Sequence, residues 1–394
     1  MAHSDYRAAT TAQDIEFIAR AEQQGFICSA ADAERYIERI GLENFRILNY
    51  DSRPVGGLVI LPQGQWWLGQ KIAMAGVASV SVVPEARRQG HARALLHSML
   101  QELYDMEMSL SALYSAAHPL YRQMGYGASG TSGYWQVPTN RIGVAEIPLS
   151  IRPVSLEVSA LRPIQQQYAR HQPGHLDRHR SIWSQIVSPQ AGQTHFAYSF
   201  GPEANPEGYI VFSLKSGERP TLQILDWALI TAAAGRSLWG FLAQQGTQIE
   251  VVRWRGGAVD PMAMLLPDHT AKLQTLEYWM LRLVNVPRAL EARGYSAGVS
   301  AELAFDVIDE ALPANHGCWT LSVSGGRGKV TRGAVNQEGK AQISLSVSAL
   351  ASLYSGLLSP DQMRQMGLLA GSDAAIATAA SLFVGPSPWL PDFF

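Results

Sequence analysis

The chain has 394 residues, with 33 acidic against 31 basic side chains and a net charge of −2, which argues against nonspecific binding to nucleic acid or an anionic membrane as a main activity. Its length points to two or three domains rather than one core. Two cysteines, Cys28 and Cys318, are too few and too far apart for a disulfide framework, and they read as reduced thiols of a cytosolic protein. The N-terminus is polar and no apolar run approaches the roughly 20 residues that span a bilayer, so a soluble, cytoplasmic protein is expected.

Two amphipathic helices are expected within residues 5–40, with Ile15, Phe17, Ile18 and Ala21 facing inward from the first and Ala33, Tyr36, Ile37 and Ile40 from the second. Residues 29–32 offer a cap. Strands at 45–50 and 55–61 flank the turn Asp51-Ser-Arg-Pro54, and residues 66–75 lead into a Val-rich strand over 75–83. Pro84 ends that strand because it cannot continue the ladder. Arg87-Arg88-Gln89-Gly90-His91-Ala92 follows, then Leu95, Leu96, Met99, Leu100 and Leu103 at helical spacing. The first N–H groups of such a helix lack partners and carry partial positive charge, so the loop reads as a pyrophosphate cradle, with Gly90 allowing close approach and Arg87 and Arg88 adding full charges. A strand at 110–115, a short helix at 118–124, the turn Gly125-Tyr-Gly127 and a strand at 133–137 then close the first domain.

Residues 140–154 are punctuated by proline and read as a linker. Beyond it, helical patterns at 161–170 and 178–186, strands at 195–200, 209–214 and 222–229, a helix at 232–245 and a strand at 249–254 repeat the rhythm of the first domain. The segment 229–236, where a second phosphate loop belongs, has no basic cradle. A third unit starts near residue 281, with strands at 301–307, 318–323, 329–332 and 343–347 and helices at 348–357, 360–366 and 373–383. His171, His175, Asp177 and His179 are not read as metal ligands, because Pro173-Gly174 breaks any common helical face and no cysteine completes a zinc set. No metal is expected. Ser324-Gly-Gly-Arg-Gly-Lys329 reads as a hairpin turn rather than a phosphate loop.

The strand, the loop Arg87-Arg88-Gln89-Gly90-His91-Ala92 and the helix after it resemble the Arg/Gln-x-x-Gly-x-Gly/Ala signature of the GNAT N-acetyltransferases. That resemblance implies acetyl-CoA as co-substrate, its pyrophosphate held by Arg87, Arg88, Gln89, Gly90, His91 and Ala92. It also implies two parallel strands that splay apart, with the pantetheine arm pairing at Val80 and Val82. The second unit resembles a silent GNAT copy and the third a sterol carrier protein-like domain. The whole arrangement is similar to the Eis (enhanced intracellular survival) acetyltransferases. The fold expected is therefore α/β (α+β), with tandem GNAT-like mixed-sheet domains at 1–140 and 155–280 and a sterol carrier protein-like domain at 281–394.

Amine acetylation needs a donor that polarises the acetyl carbonyl and an acid for the departing thiolate. The resemblance assigns the acid to the tyrosine before a Gly-aromatic pair, which is Tyr121 ahead of Gly125-Tyr126, and the donor to the Val82 N–H. It further implies that the C-terminal carboxylate, here of Phe394, reaches the active site, and the apolar end Trp389-Leu-Pro-Asp-Phe-Phe394 suits burial. Trp66, Trp67 and Asp392 are candidates for lining a pocket between the first and third domains. The expected substrates are primary amines, either aminoglycoside-like polyamines or lysine side chains, acetylated by direct attack in a ternary complex. The expected assembly is a homo-oligomer, a hexamer in the family. The competing expectation is a lipid or sterol carrier with a vestigial first domain.

Overall fold

Alternation of side chains along extended segments leaves one face of each strand for helices to cover, and a computed structural model, describing residues 4–190, 192–333 and 342–394, shows how the faces are used. The first unit comprises β1 (Ser4–Ala8), α1 (Ala12–Phe26), α2 (Ala30–Ile40), β2 (Phe45–Tyr50), β3 (Arg53–Trp67), β4 (Gln70–Val82), α3 (His91–Asp105), β5 (Leu110–Tyr114), α4 (His118–Gln123) and β6 (Gly127–Pro138). Thr11 with Asp14 and Ser29 with Asp32 form capping boxes that start α1 and α2. Ahead of α1, Ser4–Ala8 is a strand on the edge of β2, where the sequence pattern suggested helix. The stretch at 66–75 is not one strand: Leu68 and Gly69 both take positive φ and fold β3 back on β4, so that Trp67 pairs with Gln70.

The second unit holds β7 (Ile151–Pro153), α5 (Val158–Ala169), β8 (Leu176–Asp177), α6 (Arg180–Val187), β9 (His195–Phe200), β10 (Gly208–Lys215), β11 (Thr221–Leu229), α7 (Ala232–Ala243), β12 (Val251–Gly256), α8 (Pro261–Met264) and β13 (Lys272–Leu283). One sheet runs through both units in the order β1-β2-β3-β4-β5-β13-β6-β12-β11-β10-β9-β7, with β8 on β3. The expectation that β6 closes the first domain is thus corrected, because β13 from the second unit lies between β5 and β6, and β6 pairs onward with β12. The expected edge at residues 280 and 281 falls inside β13. Small residues make the exchange fit: a Cβ on Gly130 would lie 2.5 Å from the Trp279 ring, and one on Gly127 would lie 1.9 Å from the Ser348 carbonyl.

The third unit is α9 (Val286–Ala292), β14 (Ala301–Ile308), β15 (Gly317–Ser324), β16 (Arg327–Arg332), β17 (Gln342–Ser346), α10 (Val347–Ser355), α11 (Pro360–Gln365), β18 (Leu369–Gly371) and α12 (Asp373–Leu382). Its 5-stranded sheet has the order β16-β15-β14-β17-β18. Gly325 and Gly326 make the expected hairpin turn, joining Ser324 to Arg327. Its core is continuous with the first unit's, since Phe305, Leu350 and Tyr354 belong to one buried cluster with Trp67, Met74 and Trp279. Beyond α12 the tail returns to the large sheet: Thr131 donates to Pro388 O and Leu390 donates to Thr131 O.

Candidate active site

The loop after β4 exposes what an anion needs. Gly90 caps α3 at φ 87 with no side-chain cap, and a Cβ there would meet nothing within 4 Å. The N–H groups of Gly90, His91 and Ala92 donate to no other group among the described residues, so they are free for an external acceptor. Arg87 and Arg88 are exposed beside them, with Arg88 at φ 61 and Arg87 Nε donating to Val82 O at 3.1 Å. The Gln89 side chain folds back to Glu85 O, and the His91 imidazole is buried against Tyr50 at 4.7 Å. Those two residues therefore offer their amides, not their side chains. The equivalent helix of the second unit differs: Thr231 already caps α7 by accepting from Ala234 N, and it donates to the Glu207 carboxylate. That negative charge opposes a phosphate.

β4 and β5 pair in parallel only from Met74 with Leu110 to Gly76 with Ala112, although β4 runs on to Val82. Past that point the strands diverge. Val83 N donates to Val55 O, so by alternation the Val82 N–H turns away from β3 and toward the gap. A bulge in β4, with Ser79 at φ 50, shifts the register between Gly57 and Val59 and marks the bend.

The gap opens into a cavity of ≈1520 Å³ walled by α1, α2, Val80 of β4, Tyr121 of α4 and, from the second unit, α6 and β13. Tyr121 is 7% exposed, its ring meets Tyr126 edge-on at 5.9 Å, and its hydroxyl has no partner among the described residues. Burial pushes that phenol up to about 12. Tyr126 is fully buried with its hydroxyl 2.7 Å from Ser111 Oγ, and the Tyr114 hydroxyl donates to Asp392 O. Of the three, Tyr121 alone faces the cavity with a free hydroxyl.

The tail ends in the same cavity, where Phe393 and Phe394 line the wall. The Phe394 ring lies 2.9 Å from where a Gly76 Cβ would be, at the last paired position of the two splaying strands. Phe393 packs on Tyr114 at 4.6 Å. What fixes this end is Arg178, 2% exposed, which clasps Asp226 through two bonds of 2.7 Å and holds Asp392 at 2.9 Å. Burial holds the Asp392 carboxyl above its ordinary range, and the nearby Asp226 charge adds to this.

Family models match residues 5–129 and 174–283 as Acetyltransferase (GNAT) domains and residues 286–391 as a Sterol carrier protein domain. The solved structure of a GCN5-related N-acetyltransferase from Anabaena variabilis ATCC 29413 superposes with a TM-score of 0.95 at 38% identity, covering 100% of both chains. The chain belongs to the GCN5-related N-acetyltransferases. The curated N-acetyltransferase Eis of Mycobacterium tuberculosis (strain ATCC 25177 / H37Ra) is 26% identical over 301 residues, 72% of this chain and 70% of its own. An uncharacterized N-acetyltransferase of Streptomyces griseus subsp. griseus is 27% identical over 353 residues, 83% of each chain.

GNAT domains use acetyl-CoA in general, and the uncapped α3, the exposed arginines and the splayed strands of this acetyltransferase fit it. The structure brings Val80, Tyr121 and Phe394 to one cavity, with Val82 and the loop 87–92 following along the same strand end outside its lining, and it moves three expected residues out of the pocket. Trp67 is fully buried against Trp279 and Tyr354, Trp66 is not on the cavity wall, and Asp392 is turned away onto Arg178. The hairpin at Leu68-Gly69 reverses the chain at the tryptophans, which explains the first two. The cavity itself lies between the first and second units, with only Phe393 and Phe394 supplied by the third. His175 meets Trp389 edge-on, Asp177 pairs with Lys71 and Arg162, and His179 caps α6. Among the described residues there is no group of three metal-ligating side chains and no helix long and apolar enough to cross a membrane. Sequence reasoning missed Arg178, Asp226 and Glu22, since single charged residues carry no pattern until the fold buries them.

Proposed function

We propose that the first unit transfers acetyl from acetyl-CoA to a primary amine, an aminoglycoside-like polyamine or a lysine side chain, by direct attack in a ternary complex. The observation that carries the proposal is the unpartnered Tyr121 hydroxyl in the cavity that opens where β4 and β5 separate. Acetyl-CoA supplies the acetyl group as a thioester. The α3 amides with Arg87 and Arg88 take its phosphates, Val80 and Val82 present backbone groups along the gap, and the Val82 N–H polarises the acetyl carbonyl. Tyr121 hands its proton to the sulfur. A phenol near 12 is a weak acid, but the burial that raises it also raises the basicity of a thiolate beside it. The Phe394 carboxylate holds a cationic acceptor against the open end. The second unit is taken as silent, because Thr231 and Glu207 occupy its helix N-terminus. A cytosolic setting, with Cys28 and Cys318 free, and a homo-oligomer such as a hexamer belong to the same reading; sedimentation equilibrium tests the latter.

The carrier reading is less well supported, since Leu303, Phe305, Leu321, Ile343, Leu350 and Ile376 fill the third unit as one packed cluster. The test is thiol release from acetyl-CoA across a panel of amines, with Tyr121→Phe alongside. The expected result is turnover with polyamines, a fall in kcat of about 10²–10⁴-fold in Tyr121→Phe, and unchanged CoA affinity by calorimetry. Lipid binding without transfer to any amine would support the carrier instead.

A further inference from the structure

An alkylamine near neutral pH is an ammonium, with a lysine-like pKa of about 10.4, so something in the cavity must take a proton before nitrogen can attack. The Phe394 carboxylate is a weak candidate, since an α-carboxyl ordinarily titrates at about 3.3–3.7. A side-chain carboxyl lines the same cavity. Glu22, in the last turns of α1, lines the cavity and is only 6% exposed. The close approach of α1 to β4 at Gly25, where a Cβ would lie 3.6 Å from Ser81 Cβ, sets it over the bulge. There the left-handed Ser79 turns its hydroxyl toward the helices, donating to the Tyr36 hydroxyl at 2.8 Å and lying near enough to Glu22 to favour its charged form. Val80, one of the backbone positions along the gap, is the next residue.

A buried glutamate that serves only the fold is normally paired with a cation. Glu22 is not. Arg39, which lines the same cavity, lies over the Tyr36 ring at 5.3 Å, while Arg35 pairs with Asp32 and Arg180 with Glu43. From α2 the groups facing Glu22 are therefore Tyr36 and Arg39; from β4 it is Ser79, which does not titrate; β3 presents Leu61. The same cavity is also lined by His118, Tyr121 and Phe394. Burial pushes the Glu22 carboxyl up to about 7, against the lowering effect of Ser79.

We propose that Glu22 accepts the proton of the incoming ammonium, leaving the Phe394 carboxylate to hold a second positive charge of the acceptor. The inference rests on the acetyl-transfer reading above, and it favours diamines and polyamines as substrates. One proton passes from nitrogen to the Glu22 carboxylate, and the freed lone pair bonds the acetyl carbon as the carbon–sulfur bond breaks. The sulfur takes the Tyr121 proton, and the nitrogen sheds its second proton to the Tyr121 oxygen. Glu22 then returns its proton to water through the open cavity, so each turnover releases amide, thiol and one proton.

The test is the pH profile of kcat/KM on the full chain with acetyl-CoA and a diamine, for the wild type, Glu22→Gln, Glu22→Asp and Ser79→Ala. The expected wild-type profile has an acid limb near pH 7. Glu22→Gln should lose that limb and about 10²–10⁴-fold in kcat with CoA affinity unchanged, Glu22→Asp should keep the limb with partial activity, and Ser79→Ala should move it upward. A limb and kcat preserved within threefold in Glu22→Gln would overturn the assignment, as would a limb abolished only by extending the chain past Phe394. If Glu22→Gln no longer binds CoA, an unmoved limb in Ser79→Ala decides against the assignment. Normal turnover in Glu22→Gln leaves the acetyl-transfer reading standing, whereas a wild type inert toward every amine removes both.

Discussion

Replacing Arg178 by Met keeps the length of the side chain and its stacking on Trp183, 4.8 Å away, but removes the charge between two buried carboxylates. Asp226 loses two bonds of 2.7 Å and Asp392 loses its 2.9 Å contact, all at side chains no more than 4% exposed. Removing one partner of a buried pair costs about 3–5 kcal/mol, because the other charge stays buried without compensation. Asp392 can soften this, since burial already holds its carboxyl above the ordinary range: without Arg178 it takes a proton. The folded variant then binds one more proton than the unfolded chain between the ordinary carboxyl pKa and the raised one. Its stability falls by about 1.4 kcal/mol per pH unit as pH rises through that window. Urea unfolding at pH 5.5 and 8 should show the larger loss at pH 8, and adding Asp392→Asn should recover part of it. Because Asp392 lies two residues before the terminus, acetyl transfer should drop while CoA affinity holds. Arg178→Met within about 1 kcal/mol of wild type at both pH values would refute the assignment of Arg178 as the clamp on the tail.

Arg87→Ala with Arg88→Ala should weaken CoA by about 1.5–3 kcal/mol per lost charge-assisted contact, and an unchanged calorimetric affinity would remove the loop from cofactor binding. Extending the chain beyond Phe394, or deleting that residue, should lower kcat/KM for cationic amines with little effect on CoA affinity; a tag at Met1 should do neither. Glu22→Gln should stabilise the fold at pH 8, because a rise from 4.5 to about 7 means the folded state gives up about 3 kcal/mol to keep that carboxylate charged. The sign follows from a raised acid, whose cost is absent below about pH 4.5 and complete above about pH 7, so equal stabilities at pH 8 would argue against burial of the charge.

The local signals in this sequence were strong enough to decide local structure. Pro84 stops a strand, Gly90 opens a helix whose first amides have no internal acceptor, and Ser29 with Asp32 starts α2, because each acts through bonds within a few residues. The placing of Tyr121 on a short helix just ahead of the turn at Gly125 was legible for the same reason. Pairings between distant segments were decided only by the tertiary structure. Nothing local tells β6 to accept β13 on one side and β12 on the other, and the run of small residues from Gly127 to Gly133 acquires meaning only once Trp279 and α10 lie against it. The two tryptophans at 66 and 67 looked like pocket residues until the turn at Leu68-Gly69 placed one of them in the core. Arg178, Asp226 and Asp392 come from three parts of the chain, and Glu22 looks like any helix-surface glutamate until Ser79 and Tyr36 close over it. The strength of a charge interaction depends on how far water is excluded around it, and only the packed fold sets that exclusion.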